Sequence, residues 1–359
     1  MCKSSEQHAF LAALPKVEHH IHLEGALSPE LLFKLAEKNQ IPLPTDDPSF
    51  ASIESLKLRY TRFTCLDDFL NYYYICMNAL ITEDDFEMLA WDYFTRAKSD
   101  GVHHVEAFFD PQAHLSRGVA YATIVDGLNA ARSRAESELG ITSLLTSCYL
   151  RHLPVHESVA TFKSPEVQEH YKNGSVIGVG LCSSENNPPT LWSEIFQEAS
   201  SIGLKLTAHA GEEGPAEYLA NALDHLGVTR IDHGIRLGLD HDPDLMKRVV
   251  DNNILLTVCP VSNVVLRCVP HISHVPIRKF IDAGVKFSVN SDDPAYFGAY
   301  ILDCFCAVQE TFDLSRKEWE TITTNSIEHS WCSADRKSDL LDALSVVMNT
   351  HGARDITLN

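Results

Sequence analysis

The chain has 359 residues, of which 45% are hydrophobic and 22% charged, a balance that excludes a largely disordered chain, a collagen-like repeat and a coiled coil. Its 29 basic and 49 acidic residues give a formal net charge of -20, and no basic run relieves that field. Nucleic acid and polyphosphates are therefore disfavoured, and the expected partner is a small neutral or cationic molecule or a divalent metal.

Eight short apolar runs read as strands buried on both faces, at 16–22, 102–109, 143–150, 176–181, 204–209, 230–233, 254–259 and 285–290. Most intervals leave room for one helix and two short loops. The first run ends in His20-Ile21-His22. Residues two apart on a strand share a face, so both imidazoles can reach one metal, although a chain with 18 histidines also produces such a pair by chance. The segment 23–101 contains no good strand. Within it Ser28-Pro29 predicts an N-cap and first helical turn before Leu31, Leu32, Leu35 and Ala36, 42–52 reads as a surface loop, and helical patterns run over 66–74 and 86–97.

The fifth run ends in His209-Ala210-Gly211-Glu212, which offers a third imidazole and a glutamate suited to acid–base work if burial raises its pKa. Glu213 fits a helix N-terminus better. An amphipathic pattern over 218–226 leads to the sixth run, which ends in Asp232-His233-Gly234; another over 244–251 precedes the seventh. The eighth is followed by Ser291-Asp292-Asp293-Pro294, and the remainder reads as helical, with loops near 330–336 and a frayed end. Eight strand–helix units predict an α/β fold, a (β/α)8 TIM barrel of one domain over 1–359 with extra helices inserted after the first strand, about 23–101; an open doubly wound sheet is the alternative. A barrel carries its chemistry at the C-terminal strand ends, where His20, His22, His209, Glu212, His233, Asp292 and Asp293 all fall. Histidines with a carboxylate and no cysteine suit Zn, Fe or Mn with an open position for a water. The ten cysteines form no Cys-x-x-Cys pair and read as reduced, mostly buried thiols; with no leader-like segment in residues 1–8 and no apolar run of membrane-spanning length, a cytoplasmic protein is expected, with nuclear entry open at this size.

The motifs His20-Ile21-His22-Leu23-Glu24-Gly25, Thr207-Ala208-His209-Ala210-Gly211-Glu212, Ile231-Asp232-His233-Gly234 and Ser291-Asp292-Asp293-Pro294 resemble, in order, those of the adenosine/AMP deaminase superfamily, and longer stretches such as Phe109 to His114 are most similar to its fungal adenine deaminases. That resemblance implies one zinc ion per subunit on His20, His22, His209 and Asp292. It implies that Glu212 protonates purine N1, that His233 orients the attacking hydroxide, and that Asp293 bonds N7. The implied reaction is deamination of adenine to hypoxanthine in purine salvage, with adenosine or N6-modified AMP as the alternative substrate. Glu24 stands where nucleoside deaminases carry aspartate and could fill the space of a ribose. Gly180 and Glu185 lie in a strand-end segment that also departs from those enzymes, and Glu185 is expected to accept from the N9–H of a free base. Cys182 replaces an aspartate of the adenine deaminases, which is expected to weaken metal affinity or rate. A phosphate-bearing substrate would need Arg117, Arg151 or Arg236 near the pocket. A two-metal amidohydrolase is disfavoured because no lysine ends the fourth strand, and a non-enzymatic sensor because every expected ligand is present.

Overall fold

The computed structural model describes residues 6–352; Cys2 and the end expected to fray lie outside them. All eight expected strands form: β1 (Lys16–Glu18), β2 (Val102–Phe109), β3 (Thr142–Leu150), β4 (Gly178–Cys182), β5 (Lys205–Ala210), β6 (Arg230–His233), β7 (Leu255–Val258) and β8 (Lys286–Val289). Each pairs in parallel with the next in chain order. Parallel neighbours require crossovers, which the intervening helices supply. Every residue of β1, β4, β6 and β7 is buried, because the barrel interior lies on one face and helices on the other. The fold is a (β/α)8 TIM barrel.

Closure between β8 and β1 differs from the other seams. Residues 19–22, expected to continue the first strand, lie beyond its short ladder. The His19 amide donates to the Asn290 side chain, the Ser291 amide to the Glu18 carboxylate, the Asp292 amide to the His20 carbonyl and the His22 amide to the Asp292 carbonyl. An isolated parallel bridge, Ile21 with Asp292, completes the ring.

The interval 23–101 is helical. The helix α1 (Glu6–Ala13) precedes the barrel, and α2 (Pro29–Asn39), α3 (Ile53–Tyr60), α4 (Leu66–Met77) and α5 (Glu83–Ser99) follow β1. Ser28 caps α2 by accepting from the Leu31 amide at 3.2 Å, and Gln40 ends it at φ 55°. The expected surface loop at 42–52 contains a 3-10 turn, Pro48–Ala51, capped by Asp47. Its Phe50 is buried and stacks on Tyr72 of α4 at 5.5 Å, so an apolar anchor within a polar stretch organises the segment. The pattern at 218–226 forms an α-helix, Glu217–Asn221, that widens into a π turn, Ala222–Leu226. The chain after Asp293 is helical through Pro294–Phe297, Ile301–Phe312, Arg316–His329 and Ala334–Gly352.

Candidate active site

The C-terminal ends of β1, β5, β6 and β8 bring the expected residues to one point. His20 and His22 project from the same side of the chain after β1, with Phe108 packed against both rings at 5.1 Å. His20 Nε2 lies 3.1 Å from Asp292 Oδ1, His22 Nε2 lies 3.2 Å from His209 Nε2, and His22 Nε2 lies 3.6 Å from Asp292 Oδ1. One ligand atom from each of the four residues falls within 4.8 Å of every other.

The outer nitrogens fix the tautomers. Thr257 Oγ1 and Thr207 Oγ1 both donate to Asp232 Oδ1, at 3.0 and 2.8 Å. Thr257 Oγ1, its proton so engaged, accepts from His20 Nδ1 at 2.9 Å. His209 Nδ1 faces Asp232 Oδ2 at 3.4 Å. His20 and His209 thus hold their protons outward and turn a lone pair at Nε2 inward, and His20 Nε2 has no hydrogen-bond partner although it is buried. His22 Nε2 and His209 Nε2 face each other at 3.2 Å, close enough for both to donate to one ion. Donors around a tetrahedral zinc sit roughly 3.4 Å apart for bond lengths of about 2.1 Å, so the three separations fit such an ion. Burial, and then the neighbouring His209 ring, lowers the His22 pKa to about 3, which keeps the ring a neutral donor. Burial works against the Asp292 carboxylate, but the His20, His233 and His22 rings hold it well below its usual range.

Above the donors lies a cavity enclosing about 370 Å³ of empty space, open solvent included, at the small end for ligand sites. Glu212 and Asp293 face it. Burial, followed by the charge of Asp292, pushes both carboxyls well above their usual range, which favours their protonated forms. Asp293 Oδ1 is buried without a partner. It sits where a Cβ on Gly25 would be, at 2.1 Å, so only glycine admits it. His233 Nδ1 accepts from Asn263 Nδ2 at 3.3 Å, which leaves the proton on Nε2, 3.5 Å from Glu212 Oε2 and 3.8 Å from Asp292 Oδ2. Ser262 Oγ donates to Asp292 Oδ2 at 2.6 Å.

Ser262 and Asn263 were not singled out in the sequence. They belong to the helix Pro260–Val265 after β7, the polar pair in Cys259-Pro260-Val261-Ser262-Asn263 being the available signal. The left-handed backbone at Ser183, His233 and Asp292, φ 73°, 62° and 67°, is likewise invisible in composition, and all three residues line the cavity.

Three expected substrate contacts stand elsewhere. Glu24 lies behind the cavity wall: its Oε1 accepts from the Asp110 amide and from His114 Nε2, both at 3.0 Å, and burial raises its pKa to about 7. Asp110 takes the cavity position instead. Glu185 is turned away, its Oε2 accepting from the amides of Gly211 at 3.2 Å and Gly214 at 2.5 Å, while its Oε1 lies 3.5 Å from Arg151 Nη1. Gly180 packs within the barrel, where a Cβ would come 2.6 Å from Cys148 Sγ. The three arginines considered for a phosphate are also committed. Arg117 donates to carbonyls of Asn78, Leu80 and Ala113, Arg151 to the His209 carbonyl, and Arg236 pairs with Asp240. No lysine or arginine lines the cavity. Its outer wall is α4, through Leu66, Phe69, Leu70, Tyr73 and Tyr74, with Tyr73 donating to Asp110 Oδ2 at 3.2 Å.

The family described as adenosine deaminase matches residues 15–347. The chain is 54% identical to an adenine deaminase of Aspergillus oryzae over 98% of its own length and 99% of that protein's. The crystal structure of an adenine deaminase from Arthrobacter aurescens superposes with a TM-score of 0.87 at 42% identity, covering 94% of this chain and 99% of that one. An amidohydrolase from Burkholderia ambifaria solved with bound Zn superposes with a TM-score of 0.84 at 26% identity, covering 97% and 95%.

Proposed function

The chain belongs to the adenosine deaminase family, and from that premise we propose that it is an adenine deaminase, exchanging the exocyclic amine of adenine for a carbonyl oxygen with release of ammonia. The observation that carries this reading is the convergence of four metal-competent side chains with two carboxyls of raised pKa in a small cavity lined by no lysine or arginine. The whole chain serves as one catalytic domain, and the free base it yields suits purine salvage.

His20, His22, His209 and Asp292 would hold a single zinc ion, and when bound it supplies a water acidified toward neutral pH. Glu212 gives its proton to N1, which draws electron density from C6 and makes that carbon electrophilic. His233 directs its Nε2–H at the incoming oxygen and orients it. Asp293 donates to N7 through the acid proton that its setting preserves. Asp110 and α4 close the space beyond the ring, which leaves little room for a ribose. A phosphate finds no counter-charge on the wall.

The test is the ultraviolet change on incubating zinc-loaded protein with adenine, adenosine or AMP in parallel. Conversion of adenine alone is expected; preference for adenosine would overturn the free-base assignment.

A further inference from the structure

His22 carries a second nitrogen that the first donor set does not use. Its Nδ1 has no hydrogen-bond partner, and the side chain is only 8% exposed. It faces Asp110 Oδ1 at 3.9 Å, and the same oxygen lies 3.5 Å from Cys182 Sγ. One donor atom each from His22, Asp110 and Cys182 lies within 4.8 Å of the other two, and all three residues are buried and line the cavity. Nitrogen, oxygen and sulfur donors on one tetrahedral zinc sit roughly 3.4 to 3.7 Å apart, so the observed spacings need little adjustment. A thiol beside an imidazole and a carboxylate selects a thiophilic divalent ion over magnesium or calcium.

We propose that His22 Nδ1, Asp110 and Cys182 form a second, inhibitory cation site for zinc or cadmium beside the first. The proposal rests on the assignment of the first ion to His20, His22, His209 and Asp292. Filling the second site releases to solvent the Cys182 thiol proton, the His22 Nδ1 proton and the proton that burial, then the Glu24 charge, favours on Asp110 by raising its pKa to about 8, and His22 then bridges the two ions through its two nitrogens. Asp110 and Cys182 share the cavity with Glu212 and Asp293, so the second ion and the free base exclude one another. Excess zinc is therefore a competitive inhibitor.

Cobalt(II) reads the two sites separately. The first site contains no sulfur, so one equivalent added to metal-free protein gives d–d bands alone. A second equivalent is expected to bring a near-ultraviolet thiolate-to-cobalt charge-transfer band that Cys182→Ser abolishes and Cys259→Ser retains. Cys259 is the control because it lies near His20, His233 and Asp292 in an alternative grouping. X-ray absorption of the wild-type protein with two zinc equivalents should show a sulfur scatterer absent with one. Inhibition of adenine turnover by excess zinc should weaken at least tenfold in Cys182→Ser. Saturation at one equivalent, a charge-transfer band that survives Cys182→Ser, or one lost with Cys259→Ser would each overturn the site. If adenine is not turned over at all, the functional reading fails while the spectra still decide this one.

Discussion

The Glu212 carboxyl is pushed well above its usual range, because burial and the adjacent Asp292 charge both oppose its ionisation. A raised carboxyl pKa keeps the acid form present below that pKa and loses it as pH rises through it. The rate on adenine should therefore decline on an alkaline limb, as pH rises through that raised pKa and this donor ionises. Glu212→Gln should lower kcat on the order of 100- to 10,000-fold and remove that alkaline limb, with zinc content unchanged by elemental analysis. A variant within tenfold of wild type would assign the proton to another group. Gly25 acts one step further out. An alanine there would place its Cβ 2.1 Å from Asp293 Oδ1 and 2.7 Å from the Asp293 Cα, so the carboxyl must move. Misplacing a contact group by about 1 Å costs on the order of 100-fold in rate. Gly25→Ala should lower kcat/KM for adenine by that order while circular dichroism stays that of the folded protein; unaltered turnover would remove Asp293 from the reaction.

At the scale of elements, the turn after β5 carries Glu212, and it is held by a buried pair rather than by its own sequence. Glu185 accepts from the Gly211 and Gly214 amides while Arg151 stands against its other oxygen. Neutralising one partner of a buried ion pair costs about 3 to 5 kcal/mol. Glu185→Gln should lower the unfolding free energy by that order in urea, and reduce kcat while KM for adenine changes little. A rise in KM with kcat intact would instead return Glu185 to the N9 edge of the substrate. This residue also shows where reading the sequence ended. The eight strands and the order of His20, His22, His209, His233 and Asp292 were legible because period-two spacing and strand-end placement are local properties. The directions of Glu185 and Glu24 were not, because each is set by partners far along the chain, Gly214 and His114. Ser262 and Asn263 escaped for a related reason: a polar pair after proline looks like an ordinary helix start until His233 and Asp292 are brought against it. Phe50, alone in a polar stretch, became an anchor only through Tyr72.

For the whole molecule, the first and last strands meet without a ladder of their own. The β2–β3 ladder has six paired residues, whereas β8 and β1 are joined by the Ile21–Asp292 bridge and side-chain bonds from Asn290 and Glu18. The expected metal donors straddle this seam: His20 and His22 follow β1, Asp292 follows β8, and His209 comes from β5. A bound ion would cross-link the two sides of the seam to each other and to His209, 187 residues along the chain from His22. An ion that binds the folded state alone stabilises it by RT ln(1 + [L]/Kd), about 2.7 kcal/mol at a hundred times Kd. That stabilisation should be concentrated at the seam, since the other strand pairs are held by ladders and this one by a single bridge. Chelation should therefore lower the thermal midpoint and speed amide exchange at residues 19–22 and 290–293 well before the β2–β3 amides respond. Readdition of one zinc equivalent should restore both. Uniform acceleration across all eight strands would mean that the ion stabilises the fold globally and that the seam closes without it.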